Sequence, residues 1–144
     1  MRCADHALEY RKLADIKPYQ KNPRKNDKAV PAVANSIREY GFQSPIIVDR
    51  DGVIIAGHTR YKAAKRLRLS TVPVIVAAEL TPEQAKELRI ADNSTNEVAE
   101  WDLPVLSAEL AQLTFDPAKF GLPVDLLTPV QPEEPEPEAE EDPL

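Results

Sequence analysis

The sequence predicts a mixed α+β domain, a small mixed β-sheet flanked by helices, followed by a disordered acidic C-terminal tail. Three observations predict it. Between residues 8 and 127, short β-branched runs alternate with amphipathic segments of helix length. Two of those runs, 46–48 and 53–56, flank Asp49, Arg50, Asp51 and Gly52, which is a hairpin signal. The final stretch, TPVQPEEPEPEAEEDPL, is rich in Pro and Glu and has almost nothing to bury. The organisation expected is one domain over 1–127 and a Pro/Glu-rich linker or tail over 128–144.

Taken in order, residues 8–13 read as an edge strand, and KPYQKNPRKND (17–27) as a polar, basic loop. A helix is expected over 28–40. Val30, Val33, Ala34 and Ile37 share one face, with Asp27 as N-cap and Gly41 as terminator. Pro31 is tolerated because the first turn lacks intrahelical partners for its N–H groups. The hairpin follows, then Gly57, then HTRYKAAKRLRL as a helix with Tyr61, Ala64 and Leu67 facing inward. Residues 72–77 supply a third strand, and the hairpin and this strand are expected to form the sheet centre. Thr81, Pro82, Glu83 and Gln84 form a capping box with Pro at the first helical position. The helix it opens runs to about Asp92 and either continues or restarts through Val98. Asp102 caps a further helix whose apolar stripe is Val105, Leu106, Leu110 and Leu113.

The net charge of −6 hides a segregation. Residues 129–144 hold seven acids and no base. Residues 17–68 hold twelve bases and four acids, whereas 69–128 hold three bases and ten acids. One half can attract phosphate unless folding interleaves the charges. Cys3 is the single cysteine, so no internal disulfide forms, which fits a reducing, cytoplasmic setting. No apolar run approaches the roughly 20 residues of a membrane helix, so no membrane partner is expected.

Chemistry concentrates where strand 53–56 feeds directly into a helix through Gly57, His58, Thr59 and Arg60. Free backbone N–H groups and the positive end of the helix dipole meet there. Gly57 lets a ligand approach the backbone, Thr59 adds a hydroxyl, and Arg60 adds a planar fork suited to phosphate. His58 can donate or accept near neutral pH. No GxxxxGK[ST] or GxGxxG occurs. Lys21, Asn22, Arg24 and Lys25 make a second cationic element, either a phosphate clamp or a solvated basic loop. Asp92 and Asn93 could offer oxygens to Mg²⁺, or could simply break or cap a helix. The two histidines and one cysteine give no zinc spacing.

The order of these elements resembles the N-terminal domain of ParB-type partition proteins, in the ParB/sulfiredoxin-like class. IKPYQKNPRKN is similar to that family's first box, and SIREYGFQSPIIV to its segment before the hairpin. IIAGHTRYKAAKRL…VPVIV is similar to its Gly-Glu-Arg-Arg box and the strand after it. IADNSTNEVAEWD resembles a phage and plasmid subgroup in which this domain often precedes a DNA methyltransferase. The resemblance implies a nucleotide pocket taking CTP or ATP with Mg²⁺. Gly57, His58, Thr59 and Arg60 would hold the triphosphate, with Asn22 and Arg24 from the first box, and Asp92 and Asn93 would help hold the metal.

The departures are informative. His58 and Thr59 replace an acid and an arginine of the family box. Sulfiredoxins require cysteine where His58 stands, and related kinases a glutamate near the first box, where none occurs between Lys17 and Arg38. Three functions remain in view. One is a nucleotide-binding module of DNA-acting machinery. The second is a metal-dependent nuclease, with Asp92 the best carboxylate and Asp27 a poor second; Asp92 and His58 are the catalytic candidates overall. The third is a non-catalytic module binding DNA or protein. For DNA, Lys21, Arg24, Lys25, Lys62, Lys65 and Arg66 are the expected backbone contacts. The oligomeric state is left open.

Overall fold

The computed structural model describes residues 4, 6–22, 25, 27–98 and 100–125. These divide into two compact units, one ending at Glu100 and the other starting at Trp101. The expected acidic tail, 128–144, lies outside the described residues, as does Arg24.

The first unit runs β1 (Leu8–Lys12), α1 (Val30–Tyr40), β2 (Ile46–Val48), β3 (Ile54–Ala56), α2 (His58–Arg66), β4 (Thr71–Val76) and α3 (Pro82–Val98). The sheet order is β1-β4-β2-β3. β4 is antiparallel to β1 and parallel to β2, and β2 is antiparallel to β3. The hairpin therefore does not occupy the centre as a unit, contrary to expectation. The α2 crossover carries β4 to the far side of β2, which leaves β3 at the margin. The hairpin turn is built by Asp49, whose side chain accepts the N–H groups of Asp51 (2.9 Å) and Val53 (3.0 Å), and by Gly52 at φ 80°.

Pairing phase explains why Pro73 is tolerated inside β4. The Leu13 N–H donates to Ser70 O at 2.9 Å in line with the β1–β4 register. Bonded pairs alternate in an antiparallel ladder, so they fall on Arg11 with Val72 and Glu9 with Val74. Pro73 stands opposite Tyr10, at a pair whose amides turn away from each other, and costs no bond to β1. The same phase directs the amides of Leu8, Tyr10 and Lys12 outward from the sheet.

Side chains alternate between the faces. Ile46, Val48, Ile54, Val72 and Val74 are fully buried on one face, with Ile16 and Ala64. Each such side chain stabilises the fold by about 1.5–3 kcal/mol. α2 covers this face, and α1 packs on α2 through Val30, Ala34 and Ala63, with Val33 and Ile37 beside them. The expected α1 stripe is thus the packed one. On the other face Ile55 meets Ala77 and Ala85, which brings α3 against β3.

Asp27 does not cap α1. A 3₁₀ turn over Asp27–Ala29 places it a turn upstream, Ala29 occupies the cap position, and Asp27 pairs instead with Lys62. Gly41, at φ 83°, ends the helix as expected, its N–H reaching Ile37 O at 2.8 Å. The capping box of α3 is reciprocal: Gln84 N–H donates to Thr81 Oγ1 (3.1 Å) and Thr81 N–H to Gln84 Oε1 (3.0 Å). α3 then continues without a break through Asp92 to Val98. No helix among the described residues is long and apolar enough to cross a membrane.

In the second unit, α4 (Leu103–Ala111) is capped by Asp102, whose Oδ1 accepts the Val105 N–H at 3.2 Å. Val105 and Leu113 of its apolar stripe are exposed. A short turn over Pro117–Phe120 follows, and it brings the Phe115 and Phe120 rings to 5.2 Å.

Candidate functional site: the head of α2

β3 ends at Ala56 and α2 begins at His58, so one residue makes the whole turn. That residue, Gly57, adopts φ 110° and ψ 24°, a left-handed conformation that L side chains rarely adopt. A Cβ at this position would lie 3.1 Å from Arg60 Nη2 and 3.2 Å from Ile46 Cγ1. Glycine is required twice over, by dihedral and by space.

The first intrahelical bond of α2 runs from Tyr61 N–H to Gly57 O at 2.8 Å. The N–H groups of His58, Thr59 and Arg60 precede it and have no intrahelical acceptor. They open onto a cavity of about 830 Å³. Its lining gathers Gly57, His58, Thr59 and Arg60 with Asn22, Lys25, Asp27 and Lys28 from the basic loop, and Asp92 and Asn93 from α3. The three expected elements, distant in sequence, thus meet around one void. Lys21, Lys62, Lys65 and Arg66 are not among the lining residues. Lys62 Nζ holds Asp27 Oδ1 at 2.7 Å, and Lys65 sits 5.6 Å from the Tyr61 ring centroid. Lys21, Lys65 and Arg66 are exposed.

Arg60 folds back over Gly57. Its Nη2 donates to Pro45 O at 3.0 Å. Its Nε is buried and has no hydrogen-bond partner among the described residues. Burial pulls the guanidinium pKa below its ordinary value, and the Asp92 carboxylate opposes that shift. A buried donor without an acceptor costs about 1–3 kcal/mol.

His58 differs from the sequence expectation in its titration. Its Nε2 accepts the Tyr19 N–H at 3.1 Å, which places the ring proton on Nδ1. Burial, then the charges of Arg89 and Lys62, push its pKa down to about 4. The ring is neutral at pH 7 and fastens the basic loop to α2. The Lys62 ammonium likewise holds Asp27 below its ordinary value and adds a second tie between loop and helix.

Arg89 was not foreseen. It is 5% exposed, the one buried charged residue among those described. Its Nε donates to Ile54 O (2.9 Å), its Nη2 to Asp49 Oδ2 (3.0 Å), and its Cζ lies 4.2 Å from the Tyr19 ring centroid. It joins α3, the hairpin turn, β3 and the basic loop. A weak signal existed: Arg89 follows Ala85 by four residues and precedes Asp92 by three, one helical face.

Among the described residues no group of three or more His, Cys, Asp or Glu could hold a metal ion. A cation beside Asp92 and Asn93 would need ligand oxygens as well, as Mg²⁺ does when it binds with phosphates.

The ParB N-terminal domain family matches residues 4–94. The ParB-like nuclease domain-containing protein YnaK of Escherichia coli is 42% identical over 78 residues, covering 54% of this chain and 90% of that protein. The chromosome-partitioning protein Spo0J of Thermus thermophilus is 37% identical over 90 residues, covering 59% of this chain and 33% of that protein. Among solved structures, C-terminally truncated ParB from Caulobacter crescentus, complexed with CTP-gamma-S, superposes with a TM-score of 0.62 at 26% identity. That superposition covers 72% of this chain and 60% of that one. The chain thus spans about a third of the Spo0J protein.

Proposed function

Because the chain belongs to the ParB N-terminal domain family, we propose that it is a nucleotide-binding module of DNA-acting machinery, taking a ribonucleoside triphosphate with Mg²⁺. The observation that carries this reading is Arg60 Nε, buried and without a partner, beside the open first turn of α2. The Caulobacter crescentus relative, complexed with a CTP analogue, supports it.

In this reading the amides of His58, Thr59 and Arg60 receive phosphate oxygens, with the Thr59 hydroxyl as a further donor. Arg60 completes its unused valence on the same anion. Asp92 and Asn93 would help hold Mg²⁺, which would supply positive charge beside the phosphates. Lys25, Lys28 and Asn22 flank the opening, and Arg24 is assigned to the same loop. His58 positions the loop through its bond to Tyr19 N–H. Lys21, Lys65 and Arg66, which are exposed and lie outside the cavity lining, are assigned to the backbone of DNA, consistent with the partition role in the relatives' names.

Calorimetry with CTP, ATP, GTP and UTP, each with and without Mg²⁺, tests the reading. Binding of at least one nucleotide, stronger with Mg²⁺, is expected. No heat from any of the four overturns it. The name of the Escherichia coli relative raises a second reading, DNA cleavage, in which Asp92 would serve a metal. Supercoiled plasmid incubated with the protein and Mg²⁺ or Mn²⁺ decides that point.

A further inference from the structure

We propose that the free edge of β1 is a self-pairing surface, through which two copies of this chain join Leu8–Lys12 strands antiparallel into one continuous sheet. Among the described residues, no strand lies beside β1 on its outer side. Leu8 is 52% and Tyr10 72% exposed. An exposed edge is a template for a second strand. What selects a second copy is the pattern of LEYRK itself.

Place a two-fold axis at Tyr10. Tyr10 then faces its own counterpart, Leu8 faces Lys12, and Glu9 faces Arg11. The residues whose amides point outward are Leu8, Tyr10 and Lys12, as the β1–β4 phase requires. Those three pair with one another across the axis, so the main chain makes a full ladder in this register. Glu9 and Arg11 then fall at the non-bonded pair, where Cα atoms approach to about 4.5 Å and side chains come closest. Within one chain Arg11 Nε already holds Glu9 Oε2 at 3.0 Å. Two such pairs would close into a ring of alternating charge. On the opposite face the Tyr10 rings meet, and Leu8 lies along the Lys12 stem.

α2 packs over β2 and α3 over β3, the strand farthest from β1 in the sheet order. A five-residue strand contact is small, so the association is weak, with Kd on the order of 100 µM. It needs no nucleotide and is independent of the reading above.

Sedimentation of the full chain from about 10 µM to about 1 mM, in reductant and without nucleotide, reads the dimer directly. E9R alone and R11E alone each place like charges opposite twice by symmetry and weaken self-association about tenfold. An equimolar mixture of E9R and R11E restores it, as does the double variant E9R/R11E. Tyr10→Pro removes an outward amide without touching the ladder to β4, and leaves a monomer. A wild-type chain that stays monomeric to about 1 mM overturns the proposal. So does a dimer indifferent to E9R and Tyr10→Pro, or a mixture that fails to recover.

Discussion

Arg89 and Arg60 are both drawn out of water, one in the middle of α3 and the other at the head of α2. Arg89 reaches a carbonyl, a carboxylate and an aromatic face, all from other elements. Arg60 reaches one carbonyl and keeps a buried Nε without an acceptor among the described residues. Both sit on helices beside the same sheet. A buried cation whose donors are answered by the fold serves the fold. One with a donor left over calls for a further partner, such as water, an ion or a ligand.

The contrast can be broken by truncating each arginine. Arg89→Ala removes the donors to Asp49 Oδ2 and Ile54 O. Unfolding free energy should fall by about 3 kcal/mol or more, lowering Tm by roughly 10 °C in a thermal melt. Arg60→Met should behave in the opposite way. Its unliganded stability should stay within about 1 kcal/mol of the parent, because the lost bond to Pro45 is offset by removal of an unsatisfied donor. Triphosphate affinity should drop on the order of 100-fold by calorimetry. If Arg60→Met unfolds the chain while Arg89→Ala spares it, the assignment of roles is reversed.

Gly57→Ala sharpens the comparison from the backbone side. The positive φ and the 3.1 Å approach to Arg60 Nη2 should cost about 2 kcal/mol in denaturant titration. The displaced guanidinium should carry affinity down with it.

The smallest effect concerns His58, which feels the charge of Arg89. Its folded pKa of about 4 lies below the ordinary 6.5. Between those values the unfolded chain binds the proton more readily, so this contribution to stability is complete above pH 6.5 and is lost as pH falls through about 4. Allowing for partial solvent exposure, the loss is about 1–2 kcal/mol, readable as urea midpoints across that range. Replacing Arg89 removes one of the charges that depress the ring, so an NMR titration of Arg89→Met should show the His58 midpoint moving up.

Much of this was legible in the residues. The capping box, the α1 stripe, the hairpin and Gly57 each follow from local rules, because backbone valence and steric limits act over a few positions. The resemblance implied that Asn22, Arg24, Gly57, Arg60, Asp92 and Asn93 share a pocket; of these Asn22, Gly57, Arg60, Asp92 and Asn93 line one cavity, and Arg24 lies outside the described residues. Arg89 escaped because hydrophobic periodicity points the wrong way on α3. Leu88 and Ile90 are exposed there, while Ala85 and Arg89 face inward. An arginine becomes an interior residue only when acceptors from distant segments converge on it, and no window of sequence carries that. Asp27 was misplaced for a related reason. Its carboxylate had a local use as a cap and a distant one with Lys62, and the distant one prevailed.

The partnership of β1 with β4 has a bearing on how the chain is made. Synthesis delivers Leu8–Lys12 early, yet its intramolecular neighbour, Thr71–Val76, emerges only after both hairpin strands and two helices. During that interval the nascent strand is without its mate and exposed to adventitious pairing, and the sheet cannot close while the ribosome still covers residue 76. Any stop before that point would release a polypeptide unable to assemble its centre, whatever helices it had already formed.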